Sequence, residues 1–356
     1  MCFDRPDPLN PHNLAMVSCP MVIEKEPYQN SKRGTNMFNI TFSCGSSDKT
    51  LCSKAQQAFK TAGQYISDTI AFNQMVNVNA TFTNLCAIMG GCIVESSGVE
   101  AKVVGGAAPS RSMLIQDNDG IYRFYPQALV KQRGNTNRPE YSDFDITAMF
   151  NSENISYWFQ GDGNIRPDQT DLEMVILHEL IHGLGFMSSL DDYINNTPTG
   201  LTPYIIPSGN NYHFYEDIFD KYMSVQSSGQ TITSITKQMD VFGNTTYPTP
   251  DSFVSAFESS SQYNLAKNLY SEATKPNSFA LLSGSNKIVL ETSLTPYNSK
   301  SSVSHFSYET YSNTSDFLMR YMMERGITLQ QYVQMGGNYK NGPIGPKLRS
   351  LLQNIG

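Results

Sequence analysis

His178-Glu179-Leu180-Ile181-His182-Gly183-Leu184-Gly185-Phe186 is the stretch on which the reading of this chain turns. On a helix, residues i and i+4 lie one turn apart on the same face, so His178 and His182 can grip one metal ion together. Glu179 then projects beside that ion, where it can take a proton from a bound water whose pKa zinc lowers to about 7. Just upstream, Thr170-Asp171-Leu172-Glu173 reads as a capping box, and Leu172, Val175, Ile176, Leu180 and Ile181 supply an apolar face. Pro167 prevents an earlier start. Gly183 and Gly185 are expected to end the helix, because glycine takes the left-handed conformation that turns the chain.

Working outward, residues 36–42 and 76–82 read as strands, and residues 53–72 carry Ala55, Ala58, Phe59, Ala62, Tyr65, Ile66 and Ile70 at helical spacing. A strand, a helix and a strand in succession predict a crossover in a mixed, twisted sheet. Short β-rich pieces follow over 99–124, with Asp117-Asn118-Asp119-Gly120 as a hairpin turn. Residues 125–132 read as a short helix or loop, and 144–151 as the last strand before the motif. Tyr157-Trp158-Phe159 reads as packing. Beyond the motif, helices are expected over 215–225, 254–274, 328–335 and 345–354, with a strand over 287–292. The fold class is therefore α+β. Four parts are expected: an extended leader over 1–35, an N-terminal catalytic lobe over 36–187, an insertion over 188–300, and a mostly helical or irregular C-terminal lobe over 301–356.

The 356 residues are enough for one large domain or two lobes, each with its own core. With 32 acidic against 25 basic residues the net charge is −7, which disfavours nucleic acid as a partner. No apolar run approaches the roughly 18–20 residues that cross a bilayer, so no transmembrane segment is expected. The first 30 residues lack a charged-then-apolar signal pattern, and any targeting peptide has been removed or lies outside the chain. All six cysteines fall within the first 92 residues, which reads as up to three disulfides. Short-loop pairing predicts Cys44–Cys52 and Cys86–Cys92, leaving Cys2–Cys19. Sequons at Asn39, Asn79, Asn154, Asn195, Asn244 and Asn313 add glycosylation candidates. Together these features predict a secreted glycoprotein.

A catalytic zinc takes three protein ligands and leaves one position open. A common continuation of the motif places a third histidine six residues after the second, but that position holds Ser188. Asp191 and Asp192 follow a short turn. His213 and Glu216 form another set, and Glu216 with Asp220 has the spacing of a thermolysin-like (gluzincin) ligand pair. His305 is the third choice, and a methionine-rich stretch, Asp316-Phe317-Leu318-Met319-Arg320-Tyr321-Met322-Met323, follows it.

The blocks His178–Phe186, Ser304-His305-Phe306 and Asp316–Met319, separated by more than a hundred inserted residues, resemble leishmanolysin and its relatives, the insertion metzincins. The resemblance covers roughly residues 140–325. It implies zinc held by His178, His182 and His305, Glu179 as general base, Met319 as the Met-turn, and a cleft between two lobes. It further implies that Tyr321, two residues after Met319, stands where related proteases carry a zinc-proximal tyrosine that stabilises the transition state. The insert is longer here, the spacing from His305 to the methionine is wider, and no cysteine follows Cys92. The Met-turn is thus open between Met319, Met322 and Met323, and the chain reads as a divergent secreted branch.

The function expected is that of a monomeric, secreted zinc endopeptidase acting on polypeptides. Its rivals are a secreted zinc-binding or interaction protein that no longer cuts, a gluzincin-type peptidase with Glu216 as third ligand, and a hydrolase of some other bond.

Overall fold

The computed structural model describes residues 1–23, 34–89, 93–94, 100–101, 103–134, 136–195, 198–340 and 342–356. Strands β1 (Cys2–Asp4) and β2 (Ala15–Val17) pair antiparallel, Cys2 opposite Val17. Next come β3 (Phe38–Cys44), helix α1 (Lys49–Thr69) and β4 (Val76–Thr83), and β3 and β4 pair in parallel through the helix. Asp48 caps α1 by accepting from the amides of Thr50 and Leu51 at 2.8 and 3.0 Å. Ala55, Phe59, Ala62 and Ile66 of α1 are fully buried, and so are Val76, Val78, Ala80 and Phe82 of β4 at every second position. Each large side chain among them contributes about 1.5–3 kcal/mol of burial.

The sheet is completed by β5 (Gly105–Pro109) and, later in the chain, by β8 (Ile146–Asn151). Between them lie β6 (Arg111–Gln116) and β7 (Tyr122–Pro126), a hairpin turned at Asp117–Gly120 as expected, with Gly120 at φ +79°. The four strands run in the order β3-β4-β8-β5. The first three are parallel, and β5 lies antiparallel on the edge. Helix α2 (Leu172–Gly183), which carries the motif, and α1 both pack on this sheet. A second sheet of six strands is ordered β9 (Tyr204–Ser208), β10 (Asn211–Asp217), β7, β6, β1, β2. It draws on residues predicted to be a leader, a catalytic lobe and an insertion, so it crosses the boundaries at 35/36 and 187/188. The fold is mixed α+β.

Several expected elements differ. Residues 215–225 are not a helix: β10 runs to Asp217, a 3₁₀ turn covers Ile218–Tyr222, and Met223–Val225 is a strand. Tyr212, Phe214 and Glu216 bury alternate side chains there, and the hairpin from β9 turns at Gly209 with φ +63°. The helix expected over 254–274 is two, Pro250–Glu258 and Tyr263–Ala273. Ser259 and Ser260 break it by donating their hydroxyls back to Ser255 O and Phe257 O, at 3.0 and 2.6 Å. The leader is built into the sheets: besides β1 and β2, Met21–Ile23 pairs with Asn137–Pro139.

The disulfides Cys2–Cys19 and Cys44–Cys52 are formed as expected. Cys86 is also disulfide-bonded, and its expected partner Cys92 lies outside the described residues. Asn39, Asn154, Asn244 and Asn313 are exposed, whereas Asn79 and Asn195 are half-buried. The Asn195 amide nitrogen already bonds Tyr263 Oη at 2.8 Å, which makes it the poorest acceptor of the six. No helix among the described residues is long and apolar enough to cross a membrane.

Candidate metal centre

Helix α2 starts at Asp171, one residue later than the expected capping box. The Asp171 carboxylate accepts from the amides of Glu173 and Met174 at 3.0 and 3.3 Å. Thr170 and Asp171 both lie in a short strand paired with Tyr157 and Trp158, and the first free amides of the helix turn to the Asp171 carboxylate. At the other end Gly183 is still helical, and its missing side chain serves packing: a Cβ there would lie 2.5 Å from Ile146 Cγ2 of β8. Gly185, at φ +109°, is the residue that turns the chain.

Between those ends, His178 Nε2 and His182 Nε2 stand 3.0 Å apart, and His305 Nε2 is 3.2 Å from each. Every second ring nitrogen is held by a backbone carbonyl. His178 Nδ1 donates to Leu318 O at 2.7 Å, His182 Nδ1 to Phe186 O at 2.6 Å and His305 Nδ1 to Ser301 O at 2.9 Å. With the protons on Nδ1, the three Nε2 atoms present lone pairs to one another and have no proton to share. Such a cluster is relieved by a cation. Ligand nitrogens about 2.0–2.1 Å from a tetrahedral zinc lie about 3.3 Å from each other, so these residues fit that ion, each oriented by its own carbonyl.

Burial sets the protonation states. It pushes His178 down to about 3, with the neighbouring His182 and Arg320 acting the same way and the Leu318 carbonyl opposing. His182 is likewise pushed down to about 4, and His305 lies well below its ordinary value. Burial acts oppositely on Glu179, pushing its carboxyl up to about 8 against the Ala107 amide, which donates to Oε2 at 3.1 Å. Glu179 and the three histidines open onto one cavity of about 230 Å³, which Tyr321 also lines.

His305 is delivered by an extended segment laid between two others. Its carbonyl accepts from Glu291 N at 2.8 Å, and Ser307 N donates to Val289 O at 3.0 Å. On the opposite side Phe306 N donates to Met319 O at 2.7 Å. Val303, β-branched and fully buried, sits at φ 55° two residues before His305, a strained conformation that its amide bond to Glu291 O at 2.8 Å helps to hold. The Phe317–Met319 turn is gripped by Arg320, whose guanidinium donates to Phe317 O at 3.0 Å and stacks with Tyr308 and Tyr332. Met319 is fully buried in that turn, while Met322 is 45% exposed and Met323 half-buried.

The other expected ligands are committed elsewhere. Glu216 accepts from Arg123 Nε at 3.1 Å and from Thr233 Oγ1 at 2.9 Å. His213 Nδ1 bonds Asp240 at 3.1 Å. Asp192 caps its own loop through the amides of Ile194, Asn195, Thr199 and Gly200. The Asp191 carboxylate accepts from Asp192 N at 2.8 Å, and its backbone is bridged to Thr202. Ser188 turns its hydroxyl to Asp220 at 2.6 Å. Among the described residues, His178, His182 and His305 form the one group of three or more possible ligands whose donor atoms converge. Sequence reasoning missed the other wall of the cavity, formed by Pro8, Leu9, Pro11 and His12. The pairing of Cys2 with Cys19, which ties that segment down, was its one local signal.

An α+β chain with a three-histidine cluster beside a helix-borne glutamate is the class defined so far. The chain belongs to the SPBPB7E8-like family, whose model matches residues 21–356. It is 29% identical to PB7E8.01, an uncharacterised protein of Schizosaccharomyces pombe (strain 972), over 98% of its own length, and it spans 66% of that relative. No solved structure matches.

Proposed function

We propose that this chain is a secreted zinc endopeptidase built like the insertion metzincins, with His178, His182 and His305 as zinc ligands and Glu179 as general base. What supports the reading above all is the convergence of three Nε2 atoms, each with its Nδ1 on a carbonyl, beside a buried glutamate on a shared cavity. Two disulfides, the further bonded Cys86 and four exposed sequons suit an exported glycoprotein. The buried Arg123–Glu216 ion pair removes the support for a gluzincin arrangement.

Zinc bound by the three nitrogens would supply Lewis acidity, lowering the pKa of water toward neutrality. Glu179 takes the proton of the attacking water on its carboxylate and passes it to the leaving amine. The Ala107 amide orients that carboxylate. Tyr321, on the same cavity, offers its hydroxyl to the developing oxyanion.

The test is casein digestion by the zinc-loaded protein with and without a chelator, beside Glu179→Gln. The expected result is chelator-sensitive digestion, restored by zinc, that Glu179→Gln loses by a factor of about 10²–10⁴ while keeping its zinc. Zinc binding without digestion in the unmodified protein would instead identify a zinc-binding protein that does not cut.

A further inference from the structure

We propose that Lys300 is a specificity-determining residue of the same cavity: its ammonium takes the side-chain carboxylate of a substrate residue beside the bond that is cut, so the preferred polypeptide carries an acidic residue there. The proposal rests on the peptidase reading above and names the substrate class that reading leaves open.

Lys300 reaches the cavity on the turn that orients His305. Over residues 298–302 the amides of Ser301 and Ser302 both donate to Asn298 O, at 2.9 and 2.7 Å. The Lys300 amide donates to Asn298 Oδ1 at 3.0 Å, and the Asn298 amide to Ser302 Oγ at 3.2 Å. Ser301 then supplies the carbonyl that accepts from His305 Nδ1 at 2.9 Å. Buried neighbours anchor this turn: Ser302 is fully buried, and the buried Tyr297 donates its hydroxyl to Leu190 O at 2.7 Å. The backbone of Lys300 is thus fixed relative to the three histidines, while its side chain stays exposed.

That side chain lines the cavity onto which Glu179 and the three histidines open. Among the described residues no carboxylate pairs with its ammonium, although acidic residues outnumber basic ones by 32 to 25. Lys300 is also the one lysine or arginine among the described residues of the lining. His12, on the same lining, is neutral: burial pushes it down to about 4, Arg5 and Lys300 adding to the fall and the Ser299 carbonyl opposing it. Glu179 is the one carboxylate there, and a bound zinc more than balances its charge. Pro8, Leu9, Pro11, Met89, Val103 and Met187 make much of the remaining wall apolar. An apolar wall with a single unpaired cation suits a side chain with an aliphatic stem and a carboxylate tip. The cavity holds only about 230 Å³, so the ammonium and Glu179 meet the same bound residue or its immediate neighbour. Because Lys300 is exposed, water and salt screen the pair, which sets a preference of about fivefold.

The test uses the zinc-loaded full chain and short amidated peptides with a hydroxamate at one end or at the other, so that the residue tested falls on either side of the zinc. Each series carries glutamate, glutamine or lysine next to the hydroxamate, and binding is measured at low and at high salt. In one of the two series glutamate is expected to bind about fivefold tighter than glutamine, with lysine weaker still and salt narrowing the gap. Lys300→Ala should erase the preference, Lys300→Arg keep it, and Lys300→Glu turn it toward lysine. Equal binding of glutamate and glutamine in both series overturns the proposal, and so does a preference that survives Lys300→Ala. A glutamine peptide with a free terminal carboxylate is the last arm: if it outbinds the amidated glutamate peptide, Lys300 holds a chain end and the assignment to an acidic side chain fails. A preference for glutamate in a protein that does not digest casein leaves the subsite standing and defeats the peptidase reading. A protein that binds neither zinc nor hydroxamate overturns both.

Discussion

The amide of Ser188 donates to Ser304 Oγ at 3.0 Å, a bond across 116 residues that ties the chain leaving the motif helix to the residue just before His305. Ser188 stands where a local third histidine would have been. Its hydroxyl and both polar groups of Ser189 are taken by Asp220 at 2.5–2.9 Å, which fixes this corner. The position where a local third histidine would stand is thus used to hold the loop that brings His305.

Ser304→Ala should therefore weaken zinc binding without touching a ligand. It leaves the buried Ser188 amide without its acceptor, which costs about 1–3 kcal/mol, and frees the His305 segment on one side. A loss of zinc affinity of about tenfold is expected in a competition titration, together with a lower unfolding temperature. A lower unfolding temperature with zinc affinity intact would reduce the bond to a structural role.

His305→Ala should lose zinc on dialysis, because two helix histidines alone leave the set one ligand short. His213→Ala is the control: its imidazole bonds Asp240, so metal content should not change. Metal analysis of the two variants decides between them, and full zinc in His305→Ala would refute the assignment of the third ligand.

The motif helix was legible because its signals are local: a four-residue histidine spacing, an acidic cap and a glycine past the end. The cap was misplaced by one residue because Thr170 and Asp171 are adjacent residues of types that both cap helices, and it is the Asp171 carboxylate that takes the amides of Glu173 and Met174. Glu216 stayed open as a ligand because Arg123, which neutralises it, lies 93 residues away. Residues 215–225 misled because Ile218, Phe219 and Tyr222 have helical spacing, whereas only a single 3₁₀ turn, Ile218–Tyr222, forms between two strand segments there. The wall formed by Pro8, Leu9, Pro11 and His12 had no periodicity to read. Its position depends on β1 entering the six-stranded sheet, a pairing made with residues more than a hundred positions away.

Gly183 offers a test of how closely α2 must approach the sheet. Alanine is a better helix former than glycine, so on an exposed helix the change would stabilise by about 1 kcal/mol. Here the new methyl would sit 2.5 Å from Ile146 Cγ2, with β8 unable to retreat because β4 and β5 flank it. Gly183→Ala should instead destabilise by about 1–3 kcal/mol in urea unfolding. It should also lower zinc affinity, since His182 is the preceding residue. A neutral or stabilising result would mean that the helix and sheet are less tightly apposed.

Glu173 should make stability fall as pH rises through neutrality. It lies buried in the first turn of α2, and burial, followed by the nearby charge of Asp171, pushes its carboxyl up to about 7 against the opposing Tyr65 hydroxyl. In the unfolded chain a glutamate titrates near 4.3. Between those two values the folded protein holds a proton that the unfolded chain has released, so stability is lost as pH rises through that window. Glu173→Gln keeps the shape and removes the titration. The variant should gain on the parent, on the order of 2 kcal/mol, between pH 5 and pH 8. Asp217 and Asp220, raised to about 6 and 7, push in the same direction but are present in both proteins and cancel in the comparison. Urea unfolding of the two at equal zinc loading measures the difference, and parallel pH profiles would show that Glu173 is already ionised in the fold at pH 5.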